Sequence, residues 1–187
     1  MATGWKQLTP VYFYTAVVVC LIPATPDRAF SALQNLLLIL GGVVSWMFIE
    51  YALHRFVFHY SARSEFGRKM LYAAHLSHHE DPRATSRLFS SLFVSVPVAT
   101  AYFLLARIAG GSWHAATFLF AGLTVGYFCY EWLHFQAHHR RPRLRLFRYL
   151  RKYHLLHHHG TPDLRFGVTS PLFDLLLGTF RPLSSRN

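Results

Sequence analysis

Apolar residues gather in four blocks, Leu8–Ile22, Ala32–Tyr51, Leu88–Ala106 and Ala115–Leu133, separated by polar and basic stretches. Each block is about 15 to 22 residues long, the length that a hydrocarbon core of about 30 Å demands of a helix. The first is the shortest. Lys6 ahead of it would suit the basic region of a signal peptide, but Pro23-Ala24-Thr25-Pro26 makes a poor cleavage site, so the block reads as a span. Beyond the fourth block the chain turns polar, with one short amphipathic helix expected over Pro171–Leu177. No linker rich in Pro, Gly or Ser interrupts the chain. The pattern predicts one all-α integral membrane domain over residues 1–187, with four transmembrane helices capped by a further layer of helices.

Composition agrees: 52% of the 187 residues are hydrophobic and 17% aromatic, a membrane-protein profile. Charge then sets the orientation, because Lys and Arg near span ends stay on the cytoplasmic side. Arg55, Arg63, Arg68, Lys69, Arg83 and Arg87 lie between the second and third spans, and ten more basic residues run from Arg140 to Arg186. Arg28 and Arg107 alone lie on the opposite side. Both termini and the helical layer are therefore expected on the cytoplasmic side.

The net charge of +11 needs no nucleic acid to explain it. Beside a span, the run from Arg140 to Arg145 sets topology or grips anionic head groups, so nucleic acid is excluded as a partner. Cys20 and Cys129 sit far apart inside spans, which excludes a disulfide framework and a thiolate zinc site; both are expected to be small buried apolar residues.

Histidine changes the picture most. Ten of the thirteen fall in four clusters: His54 and His59; His75, His78 and His79; His134 and His138; His154, His157 and His158. His59, His75, His78 and His79 each have a counterpart 79 positions further on, so the chain is an imperfect internal repeat. Imidazole is the commonest protein metal ligand at neutral pH, and ten rings exceed what one ion coordinates. The layer is thus expected to be histidine-rich and to hold a dimetal site.

Residues on a helix advance about 100° per position, so His134 and His138 lie about 40° apart and each HxxHH set spans an arc of about 100°. His54 and His59 diverge by about 140° on an ideal helix, so either the helix frays there or the two serve different ions, and different ions is the favoured reading. His139 and His159 have no counterparts at the same offset and read as residues that back the ligands or lie at the surface, and His114, at the other mouth of the fourth span, as an ordinary interfacial or interior histidine.

A structural zinc would be satisfied by four ligands, whereas imidazole also suits iron and copper, and only a redox metal activates dioxygen. An alkyl C–H bond yields to no acid, base or nucleophile in a protein. Apolar surroundings and two redox ions converge on a lipid oxidase or hydroxylase. Outside that class stand a membrane haem protein, which would need histidine pairs on facing spans, and a metal-binding membrane protein without catalysis.

The stretch Glu50-Tyr51-Ala52-Leu53-His54-Arg55-Phe56-Val57-Phe58-His59, the sets His75-Leu76-Ser77-His78-His79 and Lys152-Tyr153-His154-Leu155-Leu156-His157-His158, and the run Gly126 to His134 resemble the membrane fatty acid hydroxylase superfamily. Phe166-Gly167-Val168-Thr169-Ser170-Pro171-Leu172-Phe173-Asp174 is similar to its C-terminal signature. Within the superfamily the chain looks most like fatty acid 2-hydroxylases. The resemblance implies a di-iron centre on the ten clustered histidines, with zinc an ion that purified protein can carry. It further implies dioxygen as co-substrate, a lipid acyl chain as substrate and hydroxylation at carbon 2. Many eukaryotic members carry an N-terminal haem domain, and here about ten residues precede the first span, so electrons are expected from a separate carrier protein. Sterol and carotenoid hydroxylases or desaturases share nearly the same spacing and stay open as alternatives.

No catalytic side chain is expected beyond the metal ligands. Glu50 and Glu131, ahead of His54 and His134, are candidates to orient a ligand ring or to pair with an Arg. Asp163 and Asp174 are candidates for the same task, or for salt bridges to Arg165 and Arg181. Thr169 and Ser170 are candidates to contact a polar substrate head or to cap the short helix that follows them, and capping is the favoured reading.

Overall fold

The computed structural model describes residues 8–183; Lys6, Arg186 and both chain ends lie outside them. All regular structure among the described residues is helical. In order these are α1 (Thr9–Ala24), α2 (Ala32–Ala52), α3 (Glu65–Leu71), α4 (Ser77–Glu80), α5 (Leu92–Gly110), α6 (Trp113–His139), α7 (Arg145–His159) and α8 (Leu172–Leu176). Two π turns, Leu53–Phe58 and Tyr72–Leu76, extend α2 and lead into α4, and a 3-10 turn, Thr85–Arg87, precedes α5. Each apolar block of the sequence is a helix. Two of these, Ala32–Phe58 and Thr85–Gly110, are long and apolar enough to cross a membrane; α1 is shorter.

The chain divides into two compact units, Met1–Trp46 with Phe89–Phe128 and Met47–Leu88 with Cys129–Asn187. In the first unit α6 is the buried element: Ala115, Ala116, Thr117, Phe120, Leu123, Thr124 and Tyr127 are all interior. A helix enclosed by other helices can carry threonine and glycine where a lipid-facing one carries leucine, which explains its weaker apolar signal. α2 and α6 approach backbone to backbone. A Cβ on Gly42 would collide with the Leu119 carbonyl oxygen, and one on Gly122 with that of Ile39. Trp46 and Tyr14 set ring edges against Tyr127, at centroid distances of 5.1 and 5.7 Å.

His114 is indeed an interior residue, its Nδ1 3.0 Å from the Thr25 carbonyl and its Nε2 2.8 Å from Asn35 Oδ1. Leu33, Leu36, Leu37 and Leu40 on α2, and Leu104, Leu105 and Ile108 on α5, point outward, an apolar exterior suited to lipid. The cysteines are free as expected, but both are exposed rather than buried. On helices with apolar exteriors, a small thiol fits the outer face as well as the core. A cavity of about 240 Å³ lies between α1, α5 and Phe120, lined by Phe13, Tyr14 and Phe103 among others.

The second unit holds the end of α2, both π turns, α3, α4, the end of α6, α7 and α8. Ser64 caps α3 by accepting from the Gly67 N–H at 3.1 Å, and Glu65 pairs with Lys69 at 2.7 Å. Tyr51 and Tyr153 are wholly buried. The Tyr51 hydroxyl lies 3.0 Å from Thr179 Oγ1 and accepts from Arg55 at 2.6 Å, tying the end of α2 to the C-terminal segment. α8 is one turn long. The Ser170 hydroxyl accepts from the Leu172 N–H at its start, as expected, whereas Thr169 is engaged elsewhere.

Candidate metal centre

The second unit gathers all ten clustered histidines into two groups of five. The first comprises His54, His59, His75, His79 and His157; the second comprises His78, His134, His138, His154 and His158. Within each group the candidate ligand nitrogens all lie within 4.8 Å of one another. The groups adjoin, with the rings of His79 and His158 stacked at 4.1 Å.

Local backbone form explains how each ring arrives. His54 and His59 were expected to face different ions, but they share the first group. The helix carrying them is not α but π: the His59 N–H reaches back five residues to the His54 carbonyl at 3.3 Å, so residues five apart return to the same face. The repeat has one residue more between these histidines than between His134 and His138, and the π turn absorbs it. Each HxxHH set also divides. His75 and His79, four apart, enter the first group while His78, on the adjacent face, enters the second. His154 and His158 likewise enter the second group and send His157 to the first.

The donor set fits metal ions. In the second group Nε2 of His78 lies 2.8 Å from that of His134 and 3.1 Å from that of His138; His138 and His154 are 2.9 Å apart, His154 and His158 3.1 Å. In the first, Nε2 of His75 and His79 are 2.9 Å apart. Metal–nitrogen bonds of about 2.1 Å place adjacent ligand atoms about 3.0 Å apart at right angles and about 3.4 Å apart in a tetrahedron. The observed edges are short enough for neighbouring rings of a group to share one ion. Buried Nε2 atoms of His54 and His157 have no hydrogen-bond partner among the described residues.

The rings are kept neutral, as ligands must be. Burial, then neighbouring imidazoles, pushes His78 down to about 4 and His79 down to about 3. Burial also lowers His157 to about 3, against the opposing effect of its bond to the Leu164 carbonyl. His75, His154 and His158 are lowered well below the usual imidazole value by the same causes.

Two of the four candidate carboxylates, Asp174 and Glu50, hold a loop rather than a ring. Asp174, wholly buried, accepts from the Phe166 and Gly167 N–H groups, each at 2.8 Å, and from the Thr179 hydroxyl at 2.7 Å. Glu50 accepts from the N–H groups of Val168 and Thr169 and from the Thr169 hydroxyl. Neither forms a salt bridge among the described residues; their oxygens are taken up by backbone amides and by the Thr169 and Thr179 hydroxyls. A Cβ on Gly167 would strike the Ser170 carbonyl, so this turn requires glycine. Asp163 is exposed, and its charge opposes the lowering of His59 by burial; Glu131 is buried one turn before His134.

Two contacts lay beyond sequence reasoning. His54 Nδ1 donates to the Phe166 carbonyl at 2.6 Å, and His157 Nδ1 donates to that of Leu164 at 2.8 Å. Arg165 between them adopts a left-handed backbone, φ 63°, with its guanidinium 5.8 Å from the Tyr153 ring centroid. Backbone carbonyls carry no side-chain signature, and a non-glycine residue at positive φ is rarely foreseen.

A family model described as fatty acid hydroxylase matches residues 39–179, which include every clustered histidine, Glu50 and Asp174. The chain belongs to the fatty acid hydroxylase family. Two Arabidopsis thaliana proteins named dihydroceramide fatty acyl 2-hydroxylase are 35% and 32% identical to it. Their alignments cover 94% and 95% of this chain and 76% and 73% of theirs. The Saccharomyces cerevisiae ceramide very long chain fatty acid hydroxylase is 38% identical over 74% of this chain and 36% of its own. A solved structure of full-length scs7p, in which only the hydroxylase domain is visible, superposes with a TM-score of 0.84. It is 32% identical, over 98% of this chain and 71% of that one.

Proposed function

We propose that this fatty acid hydroxylase family member hydroxylates carbon 2 of a fatty acid or amide-linked acyl group in a membrane lipid. It would use dioxygen and electrons from a separate carrier protein. The observation that carries the proposal is the pair of five-histidine groups, in a chain whose relatives are named fatty acyl 2-hydroxylases. His54, His59, His75, His79 and His157 would hold one ion, and His78, His134, His138, His154 and His158 the other. We assign both ions as iron, since oxidising an unactivated C–H bond needs a redox metal. Bound there, the pair supplies dioxygen activation.

The remaining roles belong to the chain itself. Burial keeps the rings neutral, and the Leu164 and Phe166 carbonyls fix two rings with Nε2 facing inward. We read the whole chain as one hydroxylase-type domain whose four apolar helices cross the membrane, with both termini and the histidines on the cytoplasmic side. The outward leucines of α2 and α5, and the weight of Lys and Arg on the histidine-bearing segments, support this reading.

Mass spectrometry of lipids from cells expressing the wild-type chain or the His157→Ala variant tests the proposal. A gain of one oxygen at carbon 2 of an acyl chain, in wild type alone, is the expected result. An oxygen appearing only on sterols or carotenoids, or a loss of two hydrogens, overturns the substrate or the reaction.

A further inference from the structure

The two histidine groups are supported unequally. On the reading that each binds an ion, we infer that the ion held by His54, His59, His75, His79 and His157 is the tightly bound one. The other ion is exchangeable, and Asp174 and Glu50 are positioning residues for the first site alone.

In the first group, two rings have their outer nitrogen engaged: His54 Nδ1 donates to the Phe166 carbonyl and His157 Nδ1 to that of Leu164. Such a bond fixes the tautomer, holds the ring plane and makes Nε2 a better electron donor. In the second group, the buried Nδ1 atoms of His78, His134, His154 and His158 have no hydrogen-bond partner among the described residues. No protein group among the described residues holds those four rings by the outer nitrogen.

Both supporting carbonyls belong to one loop, and that loop is tied down from two sides. Asp174 takes the amides of residues 166 and 167, and Glu50 those of residues 168 and 169. The Arg165 N–H donates to the Thr179 carbonyl at 3.2 Å, while the Thr179 hydroxyl returns to Asp174. The chain of contacts thus runs from Asp174 through the loop to His54 and His157. No ring of the second group bonds to this loop. Loss of such an outer contact weakens metal binding by about 10- to 100-fold.

Asp174→Asn is the diagnostic change. Each Asp174 oxygen accepts from a backbone N–H, so whichever way an amide is turned, its NH2 meets an amide donor. Glu50→Gln is milder, because Gln keeps one oxygen for the amides of 168 and 169 while its NH2 can donate to the Thr169 hydroxyl. It serves as the second probe if the Asp174 variant does not fold.

The experiment uses the purified full chain in detergent, loaded with Zn²⁺ and challenged with increasing chelator, with retained metal measured per chain. Wild type should release its two ions in separate steps at least about 10-fold apart. His138→Ala should keep only the tight ion, and His59→Ala only the weak one. Asp174→Asn should weaken the tight step by about 10- to 100-fold and leave the weak step in place; Glu50→Gln should move the same step by less. A single release step in wild type, or equal weakening of both steps in the variants, overturns the inference. Failure of the wild-type chain to retain two ions overturns the ligand assignment beneath it.

Discussion

His78 and His157 stand in each other's half of the repeat. They are counterparts 79 positions apart, yet His78 lies with the histidines of α6 and α7, and His157 with those of the earlier segments. Each set of five therefore needs both halves of the repeat. A bound ion would cross-link elements far apart in sequence, so either exchanged histidine should matter to both architecture and chemistry.

Replacing His157 with alanine should reduce the 2-hydroxylated product to background while the protein stays folded and membrane-inserted. Its Nε2 has no hydrogen-bond partner among the described residues, and its ring is wholly buried. The variant should retain about one ion per chain in place of two. Full activity in an inserted variant carrying both ions would remove His157 from the ligand set.

Acid should destabilise the metal-free protein. Imidazoles near 6.5 when unfolded are held at about 4 for His78 and about 3 for His79 and His157 when folded. The unfolded chain therefore binds more protons between these values, so stability is greatest above pH 6.5 and falls as pH drops from 6.5 toward 3. Thermal unfolding of apo protein between pH 7.5 and 5 measures the slope. Because the folded rings are already neutral, metal affinity of the folded chain should stay nearly flat over that range. A melting temperature that rose on acidification would contradict the assignment.

The contact between α2 and α6 should tolerate no side chain at Gly122. Alanine there places a methyl group against the Ile39 carbonyl, and forced overpacking of this kind costs about 1–3 kcal/mol. Gly111, at φ 64° in the open turn after α5, meets nothing within 4 Å, so a change to Asn there should cost far less. Comparing the two variants by thermal unfolding in detergent checks the close approach.

Sidedness can be read by thiol labelling of intact cells, after Cys20 and Cys129 are replaced by alanine. A cysteine in place of Arg28 or Arg107 should react with an impermeant reagent from outside, and one in place of Arg143 only after permeabilisation. Labelling of all three from the same side would refute the four-span topology.

The loop 164–169 shows where sequence reasoning stopped. Glu50 and Asp174 were visible as acids near the histidine motifs, and both act on the site, but through backbone amides. Their spacing in the chain carries no trace of that. Similarly, the five-residue step from His54 to His59 means divergence on an ideal helix and a shared face on a distorted one, and spacing alone does not choose between them. The step is neutralised by a π turn, whose i→i+5 bond depends on the surrounding packing.

The sequence by itself determined the four apolar helices, the ten histidines and the family, because helical periodicity, span length and ligand spacing are local properties. It also determined that more than one ion was in question. Tertiary structure alone decided which histidines share a group, since that depends on how segments 79 residues apart meet. It alone brought the Leu164 and Phe166 carbonyls to His157 and His54, and Gly122 to Ile39. Contacts made by backbone atoms, or by the absence of a side chain, leave no periodic signal to read.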